Sequence, residues 1–154
     1  MLNTMTNFKR TDSNNPDFQK LVILLDADLK ERDGDEHTFY AQFNKIATIR
    51  NVVVCFVDDK AIGCGAFKEY DESKVEIKRM FVLPEYRGHG IAIKILKELE
   101  LWAAELNYRE YILETGKKQP EAIHLYQKAG YCVMHNYGQY INVENSVCMM
   151  KTVL

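Results

Sequence analysis

Val82-Leu83-Pro84-Glu85-Tyr86-Arg87-Gly88-His89-Gly90-Ile91-Ala92 carries a β-branched run through two glycines straight into an apolar helical stripe. Gly88 and Gly90 lack the Cβ atoms that would keep a ligand from closing on the main chain. The first turn of the helix that follows presents unpaired N–H groups and the positive end of the helix dipole, a setting for a phosphate or diphosphate. Arg87 adds a charge-assisted donor beside them. Taken alone, a Gly-x-Gly is equally a tight strand-to-helix connection, so the surrounding elements have to decide.

Upstream, Val75 to Leu83 reads as a strand that stops at Pro84, which cannot donate a ladder hydrogen bond. Asn51 to Val57 and Ala61 to Tyr70, separated by Asp58-Asp59, read as a hairpin leading into it, so three successive antiparallel strands are expected. Phe18, Leu21, Val22, Leu25 and Leu29 recur at helical spacing and predict an amphipathic helix over about 15–31, with a shorter one at 36–46. Downstream, Ala92, Ile95, Leu96, Leu99, Ala103 and Leu106 form the stripe of a helix packed on a sheet face. Tyr111 to Thr115 is a strand, and 120–129 is a short helix opened by Pro120 and closed by Gly130. Tyr131 to Met134 and Ser146 to Val153 complete the strands. With no repeat and no Pro/Ser-rich linker, a single domain over 1–154 is expected, structured from about residue 6.

Composition removes several function classes. Twenty Lys and Arg against 22 Asp and Glu leave a net charge of −2 without a basic stripe, which disfavours nucleic acid as a partner. The longest apolar runs, Val52 to Val57 and Leu21 to Leu25, fall far short of the ~20 residues of a membrane helix. The opening residues lack the order of a secretory signal, so a cytoplasmic location is expected. Cys55, Cys64, Cys132 and Cys148 form no C-x-x-C pair and are read as thiols in the core. His37, His89, His124 and His135 show no metal-site spacing, and no metal is implied.

Both common nucleotide motifs fail at the glycine turn. G-x-G-x-x-G would need glycine at Ile93, and G-x-x-x-x-G-K-[ST] is absent. The turn instead resembles the R/Q-x-x-G-x-G/A motif of the GNAT superfamily of N-acetyltransferases, matched by Arg87, Gly90 and Ala92. Ala122-Ile123-His124-Leu125-Tyr126-Gln127-Lys128-Ala129-Gly130-Tyr131 resembles that family's downstream A-x-x-L-Y-x-K-x-G-[FY] segment. The two motifs stand in the family's order and cover about residues 50–135. The resemblance implies an α/β (α+β) fold: a mixed, largely antiparallel twisted sheet of six to seven strands flanked by about four helices.

It also implies acetyl-coenzyme A as cosubstrate, lying between the strand ending at Val82 and the strand ending near Thr115. The diphosphate would rest on Arg87, Gly88, His89, Gly90, Ile91 and Ala92. The main chain of Phe81 and Val82 would pair with the pantetheine arm and polarise the thioester carbonyl. Where many relatives carry Asn before the last helix, this chain has Gln119 and then Pro120. The resemblance gives Tyr126 the departing thiolate. Ordinary pKa values of about 10 and about 8.5 make full proton transfer uphill by ~2 kcal/mol, which favours a hydrogen bond to sulfur.

An alkylamine must lose a proton before it attacks, and two carboxylates compete for that task. Glu76 matches the base position on the family's fourth strand and Glu114 the position on its fifth. At ~3.3 Å per residue Glu76 lies about 13 Å along the strand from Met80, so it could act only through water. Each is equally a strand carboxylate paired with Lys78 or Arg79. The acceptor, a primary amine on a small molecule or peptide, would be shaped by Asp26 to Tyr40 and by His135 to Asn145, where Tyr137, Tyr140, Asn142 and Asn145 could line a pocket. Six acids between Asp26 and Glu36 could attract a cationic amine, or form a solvated helix end. No cysteine sits where a nucleophile is needed, which points to direct attack. A non-catalytic acyl-coenzyme A sensor stays open, as does a homodimer through an edge strand near the C-terminus.

Overall fold

The computed structural model describes residues 6–34 and 48–153. Among the described residues seven strands form one sheet: β1 (Thr6–Thr11), β2 (Asn51–Val57), β3 (Lys60–Glu69), β4 (Lys74–Val82), β5 (Glu110–Gly116), β6 (Cys132–Met134) and β7 (Ser146–Thr152). Their order is β1-β2-β3-β4-β5-β7-β6. All neighbours are antiparallel except β4 and β5, giving the mixed, largely antiparallel sheet expected. Three α-helices lie among the described residues: α1 (Pro16–Asp33), α2 (Ile91–Glu105) and α3 (Pro120–Lys128). The helix expected at 36–46 lies outside the described residues.

β1 was not foreseen. Only Phe8 in it is a large apolar residue, so its period-2 signal is faint, and it is held by pairing with β2 and by Arg10, which ion-pairs with Glu98 and Glu105 of α2.

The two large helices cover opposite faces. α1 starts where the Asn15 side chain accepts from the Phe18 N–H at 3.0 Å, with Pro16 in the first turn, and ends at Gly34 with φ +55°. Its Phe18, Leu21, Val22 and Leu25 pack on Val52, Val54, Cys64, Ala66 and Phe81. α2 buries Ile91, Ile95, Leu96, Leu99 and Ala103 against Val53, Cys55, Ile62, Phe67, Val75 and Ile77 on the other face. Burying each large aliphatic side chain contributes about 1.5–3 kcal/mol, which makes these two faces the main support of the sheet.

Two irregularities in β4 create the site. First, β4 and β5 pair only at Lys74–Glu76 with Glu110–Ile112; beyond that β4 stays with β3 and β5 stays with β7, so a wedge opens between them. Second, the β3–β4 register slips, with Ala66 opposite Lys78 but Cys64 opposite Phe81, and Arg79 takes φ +60°. This bulge inserts one residue and reverses the alternation. Val75 and Ile77 face the α2 side, whereas past the bulge Val82 faces α2 and Phe81 faces α1.

Cys132 corrects the core-thiol reading. It is exposed on the short edge strand β6, while Cys55, Cys64 and Cys148 are buried. Burial pushes the Cys55 and Cys148 thiols up to about 11 and Cys64 up to about 12. Alkylation of the native protein at about pH 8 should therefore add one group, at Cys132, and denaturant should expose the other three to the reagent. Mass spectrometry checks this, and modification of Cys64 in the folded protein would contradict it.

Candidate active site

The stretch from Pro84 to Tyr86 turns once as a 3-10 helix, and the chain then enters α2 through Gly88 (φ +83°) and Gly90 (φ +78°). A Cβ built on either glycine meets nothing within 4 Å, so the glycines serve the left-handed backbone and leave open space above it rather than a protein contact. Gly90 caps α2 without a side-chain hydrogen bond, and the first turn contains no acidic residue. The N-terminal amides of α2 thus face the opening with no side chain of their own to satisfy them. Arg87 Nε donates to Val82 O at 2.8 Å, and its guanidinium lies 5.5 Å over the Phe81 ring, so it is fixed beside the turn.

From this turn a groove of about 480 Å³ runs into the wedge, within the size range of ordinary ligand sites. Phe81, Val82, Arg87, Gly88, Gly90, Ile91, Ala92 and Gln119 all line it; His89 is exposed and does not. The Ala122, Leu125 and Tyr126 side of α3 forms the opposite wall, and Arg32 of α1 ion-pairs with Glu121 of α3 where both border the groove.

A second cavity, of about 130 Å³, continues from the first deeper into the wedge. Leu25, Met80, Gln119, Ala122 and Tyr126 border both, so the two spaces meet at the β4 bulge and at Tyr126. Glu76, Lys78 and Arg79 from β4, Glu114 from β5 and Tyr140 line the smaller one. Glu76 accepts from Tyr137 Oη at 2.7 Å and lies 3.9 Å from Lys78 Nζ; Glu114 accepts from Ser146 Oγ at 2.8 Å. Burial lowers the Lys78 ammonium from its ordinary value, against the opposing pull of Glu76. Burial raises the Tyr126 hydroxyl above the usual tyrosine value, so it stays a proton donor through neutral pH.

The order of these parts, a bulged strand, an open wedge and an anion-ready helix start, coincides with a family match. Residues 16–131 fit the model of the acetyltransferase (GNAT) family. The chain belongs to the GNAT acetyltransferase family. Among curated relatives, the IAA acetyltransferase of Azospirillum brasilense is 38% identical over 80 residues, 51% of this chain and 52% of that protein. The chain spans about half the length of that relative and under two thirds of the next two. A Klebsiella pneumoniae protein described as an acyl-CoA N-acyltransferase superposes with a TM-score of 0.81 at 28% identity, over 99% of this chain and all of the other. A GNAT family acetyltransferase of Elizabethkingia anophelis, crystallised with acetyl-CoA bound, shares the fold at a TM-score of 0.70 and 17% identity, over 96% and 98% of the two chains.

Of the residues expected near the acceptor in this GNAT chain, Tyr140 lines the inner cavity and Tyr137 reaches it through Glu76, while Asn142 is an exposed turn residue with φ +65°. Among the acids of α1, Asp26 pairs with Arg79 at 2.7 Å and Asp28 with Arg32 at 3.4 Å, so both are engaged by arginines; Asp35 and Glu36 lie outside the described residues. Leu25, Leu29, Lys78, Arg79 and Met80 were not singled out as site residues. For Arg79 and Met80 the missing signal is the bulge, because strict alternation gives no reason for Arg79 to turn inward; Lys78 precedes the bulge and shares the face of Glu76. Among the described residues no group of three or more His, Cys, Asp or Glu could hold a metal, and no helix is long and apolar enough to cross a membrane.

Proposed function

We propose that the chain is an acetyl-CoA-dependent N-acetyltransferase that moves the acetyl group to a primary amine of a small molecule or peptide by direct attack. The observation that carries this reading is the meeting of the two cavities at Met80 and Tyr126, with bare helix amides at the far end of the larger one. The amides from Gly88 to Ala92 and the Arg87 guanidinium hold the diphosphate. The unpaired edge of β4 beyond Glu76 takes the pantetheine arm as an added strand, and a main-chain N–H at Phe81 or Val82 polarises the thioester carbonyl. Tyr126 donates a hydrogen bond to the sulfur as the C–S bond breaks. The acceptor occupies the inner cavity, where Glu76 and Glu114 are the carboxylates placed to receive its proton, directly or through water. The acetyl-CoA bound to the Elizabethkingia relative supports the choice of cosubstrate.

Release of free thiol from acetyl-CoA in the presence of a panel of amines and peptides tests this, and dependence of the rate on one class of amine is the expected result. Coenzyme A binding with no acetylation of any acceptor would favour an acyl-CoA sensor. Glu76→Gln and Glu114→Gln separate the two bases. Replacing the one that takes the proton should lower kcat by roughly 10²- to 10⁴-fold and abolish the acid limb of the pH profile, while the other variant keeps that limb. An unchanged profile in both would remove the carboxylates from the mechanism.

A further inference from the structure

We infer that Glu100 is a positioning residue: with Tyr131 and Lys151, its buried carboxylate anchors the C-terminal end of α3 and so holds Tyr126 where the two cavities meet. This rests on the role given to Tyr126 above and names what fixes it there.

α3 is poorly anchored by its own packing. It has nine residues, only Tyr126 among them is buried, and Ala122 and Leu125 reach the core in part. One side of the helix faces open space, since Glu121, Ala122, His124, Leu125, Tyr126 and Lys128 line the groove. At its start Gln119 makes no side-chain cap. Glu121, which pairs with Arg32, is exposed, and exposed ion pairs contribute little.

The other end is tied down by polar contacts. Glu100 is the one charged residue among the side chains that α2 buries, and its two oxygens take separate donors. Tyr131 Oη donates to Oε2 at 2.8 Å and Lys151 Nζ to Oε1 at 2.9 Å. Lys151 Nζ also donates at 3.0 Å to the carbonyl of Ala129, the residue that caps α3. Tyr131 carries the tie back to Tyr126 in two ways: its main-chain N–H donates to the Tyr126 carbonyl at 2.9 Å, and its ring stands edge-on to the Tyr126 ring at 5.8 Å. Tyr111 Oη of β5 donates to the Glu100 carbonyl at 2.9 Å, which fixes the carboxylate's own helix to the sheet. One side chain of α2 thereby holds Ala129 and Tyr131, on the turn that directly follows Tyr126.

The energetics favour this reading over a purely stabilising one. Burying a carboxylate costs desolvation that an apolar side chain in the α2 stripe would avoid, so a buried ion pair is weak evidence for stability. What it adds is direction. Apolar burial is non-directional, whereas hydrogen bonds of fixed length set how far α3 stands from the sheet. Misplacing a reacting group by about 1 Å can cost ~10²-fold in rate.

Tyr131→Phe keeps the ring and removes the bond to Glu100; Glu100→Gln keeps the side chain's shape and removes its charge. Each should lower kcat in the thiol-release assay by about 5- to 20-fold, with the KM for acetyl-CoA and the calorimetric affinity for coenzyme A within about twofold of wild type. Each is then combined with Tyr126→Phe. Once the hydroxyl is gone its placement no longer matters, so the second substitution should cost less than about a further twofold. Thermal denaturation reports folding, and Tyr131→Phe carries the test alone where Glu100→Gln does not fold. The same fractional loss of kcat with and without the Tyr126 hydroxyl would mean a merely structural role and overturn the inference, as would an unchanged kcat in the folded single variants. A silent Tyr126→Phe would instead strike the role of Tyr126 in the acetyl-transfer reading, and this inference with it.

Discussion

Gly90→Val should weaken coenzyme A binding by roughly 10²- to 10⁴-fold while leaving the protein folded. Gly90 is left-handed, with φ +78°, and a β-branched residue there costs about 1–3 kcal/mol of backbone strain or moves the turn. The new side chain projects into space that is empty of protein within 4 Å of the Cβ, the space that the proposed binding mode gives to the diphosphate. Charge-assisted hydrogen bonds are worth about 1.5–3 kcal/mol each, and losing two corresponds to the stated range. The apolar face of α2, from Ile95 to Ala103, is untouched, so the variant should still unfold cooperatively. Calorimetric titration measures the affinity. An unchanged dissociation constant in a folded variant would mean that the diphosphate does not lie on this turn.

The second large effect is expected at Tyr126. Tyr126→Phe should lower kcat by about 10- to 100-fold, in line with one hydrogen bond to a developing thiolate at about 1.5–3 kcal/mol, with little change in coenzyme A affinity. The ring is held by an edge-on contact with Tyr131 at 5.8 Å, which phenylalanine keeps, so loss of the hydroxyl is the sole change. Because burial raises the hydroxyl above its ordinary value, Tyr126 remains protonated across the working range and should not itself produce an alkaline limb below about pH 10. Single-turnover thiol release separates this step from product dissociation. Equal rates in the two proteins would exclude Tyr126 from the chemistry.

The parts of the fold that could be read in the sequence are those whose signal is local. The helical stripes of α1 and α2, the Pro120 and Gly130 boundaries of α3 and the β-branched run of β2 each rest on spacing that survives into the structure. β1 was missed because an edge strand with one large apolar side chain has almost no pattern, and its partner β2 is 40 residues away in the chain. The glycine-turn wall of the groove was legible for the same local reason: Arg87, Gly88, Gly90 and Ala92 all lie within six residues and line it. His89 sits between them with an exposed side chain that does not line the groove, so any part it has there falls to its main chain.

The inner cavity was less legible because it is assembled from contacts between distant segments. Whether Glu114 points into the wedge depends on how β5 pairs with β7, and the fate of Asp26 depends on Arg79, 53 residues away. The Arg79 bulge reverses the alternation of β4, a change set by the β3 register that no period-2 pattern in residues 74–82 reveals. Likewise Cys132 has the composition of a core strand around it and becomes exposed because β6 is the sheet's last strand.

A crystal structure of the chain with coenzyme A tests the central claim most directly. The diphosphate oxygens should lie within hydrogen-bond distance of main-chain N–H groups between Gly88 and Ala92, with the pantetheine arm alongside Phe81 and Val82 and its sulfur near Tyr126. Diphosphate bound elsewhere, or a groove that stays empty at saturating coenzyme A, would contradict it.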